Sequence, residues 1–137
     1  MRLAMAMSRM RARLRDAAGL RLSGLPVSQL TILKRLRSHG PATAAELAAA
    51  EHVSQQAIAQ SLASLKSAGF VRAETDAGDR RKSLIHITDA GRALVESILA
   101  SRDAWLVRAI DAVVAPGERQ DLERAIALIE RLADADV

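Results

Sequence analysis

A short amphipathic segment, residues 54–68, carries uncharged hydrogen-bonding side chains along one side. At about 100° per residue, Ile58, Leu62 and Leu65 fall within roughly 60° of each other on a helix. The opposite side presents the polar residues Gln56, Gln60, Ser64 and Ser67. Glutamine can form two hydrogen bonds with adenine in the DNA major groove, and serine can bond to several bases. This side is therefore a candidate for reading base edges, with an ordinary solvated helix surface as the alternative.

Two residues stand at the predicted start of this helix, Ser54 and Gln55. A serine at this position caps the backbone N–H groups of the first helical turn. The N–H groups at a helix N-terminus also attract phosphate groups. We therefore expect Ser54 and Gln55 to lie near the backbone of a bound nucleic acid.

A charged turn separates two segments, 70–75 and 83–87, that have the composition of short strands. The turn ends with one acidic and three basic residues, Asp79, Arg80, Arg81 and Lys82. A hairpin could carry these side chains beyond the protein surface. Arginine suits the narrow, negatively charged minor groove of A/T-rich DNA, and Asp79 could hold one arginine by paired hydrogen bonds. The alternative is a solvated run of charges.

Two further helices are predicted before the polar one. Ser28 can cap the first of them, and Gly40 followed by proline ends it. Thr43 and Glu46 have the spacing of a capping box, in which the glutamate reaches back to the backbone of the cap residue. Three helices followed by a hairpin is the element order of a winged helix-turn-helix. The last two of the three helices form the helix-turn-helix, and the later of them, residues 54–68, is the one that enters the major groove.

The sequence patterns at both ends of the chain predict helices whose apolar sides need another protein surface to pack against. Residues 1–18 are rich in arginine, and their apolar side chains follow a heptad seam formed by Leu3, Met7, Met10, Leu14 and Ala17. Thr88 can cap a long helix that runs to about Val114, and Pro116 opens a last helix. The long helix exceeds what so small a core can cover, so part of it should pack on a partner. Alternatively, the basic first segment is a transit peptide or binds a membrane surface.

Composition excludes several classes of function. The chain has no cysteine, which removes disulfides, thiolate zinc sites and thiol-based redox sensing. Its two aromatic residues are too few for single-strand recognition by base stacking. Residues 1–82 hold 14 basic against 6 acidic residues, whereas residues 83–137 hold 6 against 10. A basic N-terminal part and an acidic C-terminal part are typical of a protein in which a polyanion-binding surface is joined to a second region.

No arrangement of polar residues predicts an enzyme. His39, His52 and His86 lack the spacing of metal ligands. Ser54 has no recognisable histidine and carboxylate partners, and a phosphate-binding loop is missing. We therefore expect no catalytic activity, no metal and no cofactor. No apolar run approaches the roughly 20 residues that cross a bilayer, so we expect no membrane partner and a cytoplasmic location.

Several motifs within residues 43–91 resemble the MarR family of bacterial transcription regulators. They are Leu47-Ala48, Val53-Ser54, Leu65-Lys66-Ser67-Ala68-Gly69-Phe70-Val71-Arg72, Asp79-Arg80-Arg81 and Ile85-His86-Ile87-Thr88-Asp89-Ala90-Gly91. The strongest single match is Asp-Arg-Arg followed by an apolar strand and Thr-x-x-Gly. The resemblance extends over the whole chain.

The resemblance implies a mainly α fold with a small β-hairpin, arranged as a winged helix-turn-helix with N- and C-terminal dimerisation helices. It implies one domain over 1–137, in which 28–90 form the DNA-binding lobe. The dimerisation helices would lie in 1–27 and 95–137. The implied partners are double-stranded DNA, a second copy of the chain and a small-molecule effector that no residue identifies.

The resemblance also implies roles for particular residues. Arg81 matches the wing arginine that reaches the minor groove, and Asp79 matches its partner. Gln55, Gln56 and Gln60 fall at groove-facing positions of the recognition helix, although many members of the family have a basic residue at Gln60 or Ser64. The expected DNA contacts are Ser54, Gln55, Gln56, Gln60, Ser64, Asp79, Arg80, Arg81 and Lys82.

Together these patterns predict a homodimeric repressor that binds a palindromic operator and is released by a small molecule. A constitutive architectural DNA-binding protein without an effector is the main alternative. A membrane-surface or targeted protein, acting through its basic N-terminal helix, is the other.

Overall fold

The computed structural model describes residues 1–19, 24–75, 77–79 and 82–137. Within these ranges the chain forms six α-helices and three short strands. In chain order they are α1 (Arg2–Ala17), α2 (Val27–His39), β1 (Ala42–Thr43), α3 (Ala44–Glu51), α4 (Gln55–Ser67), β2 (Val71–Thr75), β3 (Ser83–Ile87), α5 (Asp89–Val113) and α6 (Arg119–Ala133). The mainly helical fold with a β-hairpin is as the sequence predicts.

The chain divides into two compact units, Met1–Arg102 and Asp103–Val137. The first unit contains α1 to α4, the sheet and the first part of α5. The second unit contains the end of α5 and all of α6. The helix-turn-helix elements and the hairpin therefore belong to one compact body.

The core of the first unit is built from the apolar sides of α2, α3 and α4. Leu33, Leu47 and Leu65, one from each helix, are completely buried. Burying a leucine side chain stabilises a fold by about 1.5–3 kcal/mol relative to leaving it in water. The predicted inward side of α4 is confirmed, since Ile58 and Leu62 are buried as well. This packing fixes the rotation of α4 about its own axis, and with it the direction of its polar side.

The predicted helix boundaries are confirmed in most places. Gly40, with φ of 81°, ends α2, a backbone conformation that glycine adopts without steric cost. Ser28 is not the cap of α2, however. The helix already begins at Val27, because the Pro26 carbonyl oxygen accepts the first backbone N–H groups of the helix, those of Gln29 and Leu30.

The capping box at the start of α3 forms in a modified way. The Glu46 backbone N–H donates to the Thr43 hydroxyl oxygen at 3.1 Å, as predicted. The Glu46 carboxylate instead accepts a hydrogen bond from the Thr43 hydroxyl, at 3.2 Å. The hydroxyl therefore acts as acceptor and donor at once.

The sheet contains a strand that the sequence did not indicate. β2 and β3 form the predicted antiparallel hairpin, with Arg72 opposite His86. β1 pairs antiparallel with the other edge of β3, so that the strand order is β1-β3-β2. A two-residue strand is too short to show alternating hydrophobicity. Its pairing covers one edge of β3 and attaches the hairpin to the helices.

The Thr-x-x-Gly motif ties the start of α5 to the end of α4. The Thr88 hydroxyl donates to the Gly69 carbonyl oxygen at 2.6 Å and accepts from the Gly91 backbone N–H at 3.2 Å. The Thr88 backbone N–H donates to the Phe70 carbonyl oxygen at 3.0 Å. Gly91 is buried there, and a β-carbon at this position would overlap the Phe70 carbonyl oxygen. The motif therefore forms a structural junction between α4 and α5.

The second unit is a pair of helical segments joined by a tight turn. Pro116 opens a 3₁₀ turn, Pro116–Glu118, and α6 begins only at Arg119. Arg119 Nη2 lies 2.8 Å from Asp111 Oδ1, which links the two segments. Among the residues that the structure describes, no helix has the length and apolar character to span a membrane.

Candidate nucleic-acid interface

The turn between α3 and α4 sets where the polar helix begins. His52 adopts a left-handed backbone conformation, with φ of 54°, and ends α3. The Val53 backbone N–H then donates to the Ala48 carbonyl oxygen at 3.1 Å. A residue with positive φ lets the chain reverse within a few residues. Two helices joined by so tight a turn have the arrangement of a helix-turn-helix.

An ion pair also links the first helix of this motif, α3, to the preceding helix α2. Arg35 Nε on α2 lies 3.1 Å from Glu51 Oε1 at the end of α3, and both side chains are partly buried. This contact could not be predicted from the sequence, because the two residues are 16 positions apart. The pair helps to hold α3 against α2.

The polar side of α4 is exposed, as the sequence predicts. Gln55, Gln56, Gln60 and Ser64 are all exposed. The opposite side is buried in the core at Ile58, Leu62 and Leu65. Because its apolar side is buried, the helix holds these uncharged hydrogen-bond donors and acceptors in a fixed orientation. Such groups can form hydrogen bonds with the edges of DNA bases.

Ser54 is the N-cap residue of α4. Its side-chain oxygen accepts a hydrogen bond from the Ala57 backbone N–H at 3.1 Å, so it caps the helix as predicted. The hydroxyl proton remains able to donate to a phosphate oxygen. Ser54 and the neighbouring Gln55 are both exposed.

The hairpin β2–β3 with its loop, which we call the wing, belongs to the same unit as α4. Its last paired residues are Thr75 and Ser83. In the loop, the Lys82 backbone N–H donates to the Asp79 carbonyl oxygen at 3.0 Å. Lys82 is exposed, whereas Asp79 is half-buried. Arg80 and Arg81 lie outside the described residues, and with them the predicted pairing of an arginine with Asp79.

One side of the wing carries a charged cluster that the sequence did not reveal. Glu74 Oε2 lies 3.1 Å from Arg72 Nη1 and 3.2 Å from His86 Nε2. The antiparallel register places Arg72 opposite His86, and Glu74 follows two residues later on the same side. His86 thus has a carboxylate neighbour on the adjacent strand.

A second candidate site is a cavity of about 220 Å³ within the first unit, between α1, α2 and α5. Four cationic side chains line it, Arg11, Arg15, Lys34 and Arg102. None of the described residues that line this cavity is acidic, and its wall includes the apolar Leu30 and Ile98. Burial and the nearby Arg102 guanidinium lower the pKa of Lys34. This cavity could not be predicted from the sequence, because its cationic residues come from segments that are far apart in the chain.

Comparison with known proteins identifies the family. The sequence model of the MarR family matches residues 23–82. An uncharacterized HTH-type transcriptional regulator of Mycobacterium leprae is 32% identical over 112 residues, covering 82% of this chain and 78% of the relative. The HTH-type transcriptional repressor NicR of Pseudomonas putida is 38% identical over 71 residues. That match covers 52% of this chain and 45% of NicR, so this chain spans less than half of that protein.

Solved structures share the fold over nearly the whole chain. A crystal structure from Pseudomonas aeruginosa PA01 has a TM-score of 0.85 at 31% identity, covering 98% of this chain and 93% of that one. S. aureus MepR, as a mutant bound to an oligodeoxyribonucleotide, has a TM-score of 0.75 at 18% identity, covering 96% and 95%.

A further solved structure comes from a protein with a known small-molecule regulator. Bordetella bronchiseptica BpsR, whose DNA binding is regulated by 6-hydroxynicotinic acid, has a TM-score of 0.62 at 24% identity. The match covers 97% of this chain and 94% of BpsR. The winged helix-turn-helix, the family sequence model and the similarity to HTH-type regulators all agree, and this chain belongs to the MarR family of DNA-binding transcriptional regulators.

Proposed function

We propose that this protein is a sequence-specific repressor that binds a palindromic DNA operator as a homodimer. The observation that carries the proposal is the exposed polar side of α4, which is backed by a buried apolar side and capped by Ser54. Gln55, Gln56, Gln60 and Ser64 would face the major groove. In the wing, Arg81 would enter the minor groove beside Arg80 and Lys82, with Asp79 holding an arginine. The proposed place of action is the cytoplasm, where the protein meets its DNA.

Selection of bound fragments from random double-stranded DNA tests the sequence-specific part. We expect an enriched inverted repeat whose half-sites lie about 10 base pairs apart, since two symmetric helices meet successive turns of the major groove. An architectural DNA-binding protein would instead retain fragments with little sequence preference. That result would contradict the proposal.

Replacing Gln60 by alanine is expected to change base preference more than total affinity. The amide contributes hydrogen bonds to a base edge, whereas most of the binding free energy comes from phosphate contacts. We expect discrimination at one base pair of each half-site to fall by about 1–3 kcal/mol, while affinity for random DNA stays unchanged. Fluorescence anisotropy with a panel of single-base operator variants measures both quantities.

Gln120→Ala is the matched control, because Gln120 is also an exposed glutamine but lies on α6. It should alter neither quantity. An equal loss of affinity on operator and random DNA in the Gln60 variant would reject a base-reading role for Gln60.

The homodimer proposal rests on apolar side chains that the isolated chain leaves in water. In α1 these are Leu3, Met7 and Met10, and in α6 they are Ile126, Leu128 and Leu132. Exposed apolar residues aligned along one side of a helix are typical of surfaces that bind another protein. We propose that the two terminal regions, 1–27 and 95–137, bury these side chains against a second copy.

Leu132→Glu is expected to convert the dimer to a monomer at micromolar concentration. The charge would enter the proposed interface and remain without a partner there. Ala127→Glu introduces the same charge on the polar side of α6 and should leave the dimer intact. Size-exclusion chromatography with light scattering compares the masses. A wild-type protein of single-chain mass would contradict the proposal.

We further propose that the cationic cavity between α1, α2 and α5 takes an organic anion that releases the protein from DNA. The support is its set of four cations beside an apolar wall, which suits a carboxylate on an apolar body. The regulation of BpsR by 6-hydroxynicotinic acid shows that a protein of this fold responds to such a compound.

Titration with 6-hydroxynicotinic acid is expected to weaken operator binding, whereas the uncharged amide of the same compound should have little effect. Arg11→Gln should reduce the response about tenfold to hundredfold, since one charge-assisted hydrogen bond contributes about 1.5–3 kcal/mol. Arg9→Gln alters an exposed arginine of α1 that does not line the cavity, and it serves as the control. A response of the same size to the acid and its amide would contradict an anion site.

A further inference from the structure

The cationic cavity contains a primary amine, which differs chemically from the guanidinium groups around it. Lys34 reaches the cavity from α2, Arg102 from α5, and Arg11 and Arg15 from α1. A guanidinium remains protonated under all physiological conditions and is a poor nucleophile. An amine becomes a nucleophile as soon as it loses its proton. The cavity therefore combines one group that can react with several that can only bind.

The surroundings of Lys34 favour its reactive form. Its side chain is half-buried, and that burial is the larger cause of its lowered pKa. The positive charge of Arg102 is the second cause. Since a lowered pKa increases the neutral fraction of an amine at neutral pH, Lys34 carries more free amine than an ordinary surface lysine. The guanidinium groups that line the same cavity make it attractive to anions.

The shape of the cavity limits what can react. A volume of about 220 Å³ admits a small molecule rather than a polymer. Its apolar wall, which includes Leu30, Ile98 and Leu99, suits a hydrocarbon or aromatic body. A carboxylate on that body would pair with an arginine and hold the rest of the molecule beside the amine.

We propose that Lys34 forms a reversible imine in this cavity with small carbonyl compounds that carry a carboxylate. The Nζ lone pair attacks the carbonyl carbon, and the carbonyl π electrons move to oxygen to give a carbinolamine. The oxygen then leaves as water, taking both former amine protons, and a C=N bond replaces the C=O bond. No oxidant or reductant takes part, and hydrolysis restores the free lysine and the carbonyl compound.

Reductive trapping tests this proposal. The wild-type protein is incubated near pH 7 with 4-carboxybenzaldehyde and sodium cyanoborohydride, which converts an imine to a stable secondary amine. Intact mass and peptide mapping then locate the adduct. The chain has two other lysines, Lys66 and Lys82, and both are exposed. We expect Lys34 to be labelled faster than either by about tenfold or more, because a cationic cavity concentrates the anionic probe.

Three controls separate the site from general lysine reactivity. Lys34→Arg should remove the preferred adduct and leave the slow labelling of Lys66 and Lys82. Arg11→Gln should slow labelling of Lys34 alone. Benzaldehyde, which lacks the carboxylate, should lose most of the preference. Circular dichroism checks that each variant is folded.

Equal labelling of the three lysines, or the same preference with benzaldehyde, would overturn the proposal. The measurement uses no DNA and no operator. Its result is therefore independent of whether the proposed DNA binding is correct.

Discussion

Replacing Arg81 by alanine is expected to weaken operator binding by about 1–3 kcal/mol, a rise in Kd of roughly fivefold to 150-fold. The expectation follows from the match of Arg81 to the wing arginine of the family. Minor-groove arginines gain from the strong negative potential of narrow A/T-rich segments. Fluorescence anisotropy at several salt concentrations gives both the affinity and its salt dependence. The thermal midpoint should stay nearly unchanged, since substitutions in charged loops rarely alter stability by more than about 0.5 kcal/mol.

Lys82→Ala is the neighbouring comparison. Lys82 follows Arg81 in the sequence and is exposed, and its proposed contact is with phosphate. Its loss should weaken binding to all DNA sequences alike and reduce the salt slope by about one. Arg131→Ala changes an exposed arginine of α6, and should affect neither property. If the Arg81 variant loses thermal stability instead of affinity, Arg81 has a structural role and the wing proposal fails at this residue.

Replacing Gly91 by alanine is expected to destabilise the fold by about 1–3 kcal/mol or more. An added β-carbon would overlap the Phe70 carbonyl oxygen and lie 2.9 Å from Ile87 Cγ1. Backbone atoms cannot move aside as a flexible side chain can, and this carbonyl also accepts the Thr88 N–H. The better helix propensity of alanine offsets only about 1 kcal/mol. Thermal or urea unfolding measures the difference.

Gly117→Ala provides the matched control for this substitution. Nothing lies within 4 Å of a β-carbon built there, and the residue does not have a positive φ. The change should be neutral, or stabilising by about 0.4–1 kcal/mol through the unfolded state. Equal stability of the Gly91 and Gly117 variants would contradict the prediction. It would show that the backbone around Thr88 can shift to accommodate the β-carbon without loss of unfolding free energy. DNA affinity should fall in the Gly91 variant only to the extent that the lobe unfolds.

The local features of the fold could be predicted because each depends on residues close in sequence. The caps at Thr43 and Ser54 need only the side chain and the next three backbone N–H groups. The polar side of α4 follows from the helical repeat of its apolar residues. The hairpin follows from strand-forming residues around a turn. These short-range interactions favour the same local structure whatever the arrangement of the rest of the fold.

The contacts between distant segments could not be predicted in the same way. β1 has no pattern of its own, and it forms because Ala42 lies beside Ile85 after the helices have packed. The sequence identified the Thr-x-x-Gly motif only by its resemblance to the family. The structure supplies the physical reason for the glycine, since a β-carbon at Gly91 would overlap the Phe70 carbonyl oxygen. The proposed DNA contacts at Arg80 and Arg81 still rest on the resemblance.

The sequence by itself determined the helix-turn-helix order, the caps and which side of α4 is polar, since short-range hydrogen bonds and helical periodicity decide these features. Only the tertiary structure decided that Arg11, Arg15, Lys34 and Arg102 surround one cavity. Short-range sequence patterns do not predict this cluster, because like charges repel each other and the four residues come from three separate helices. The tertiary packing of α1, α2 and α5 places them there. The reactivity we propose for Lys34 arises from that packing.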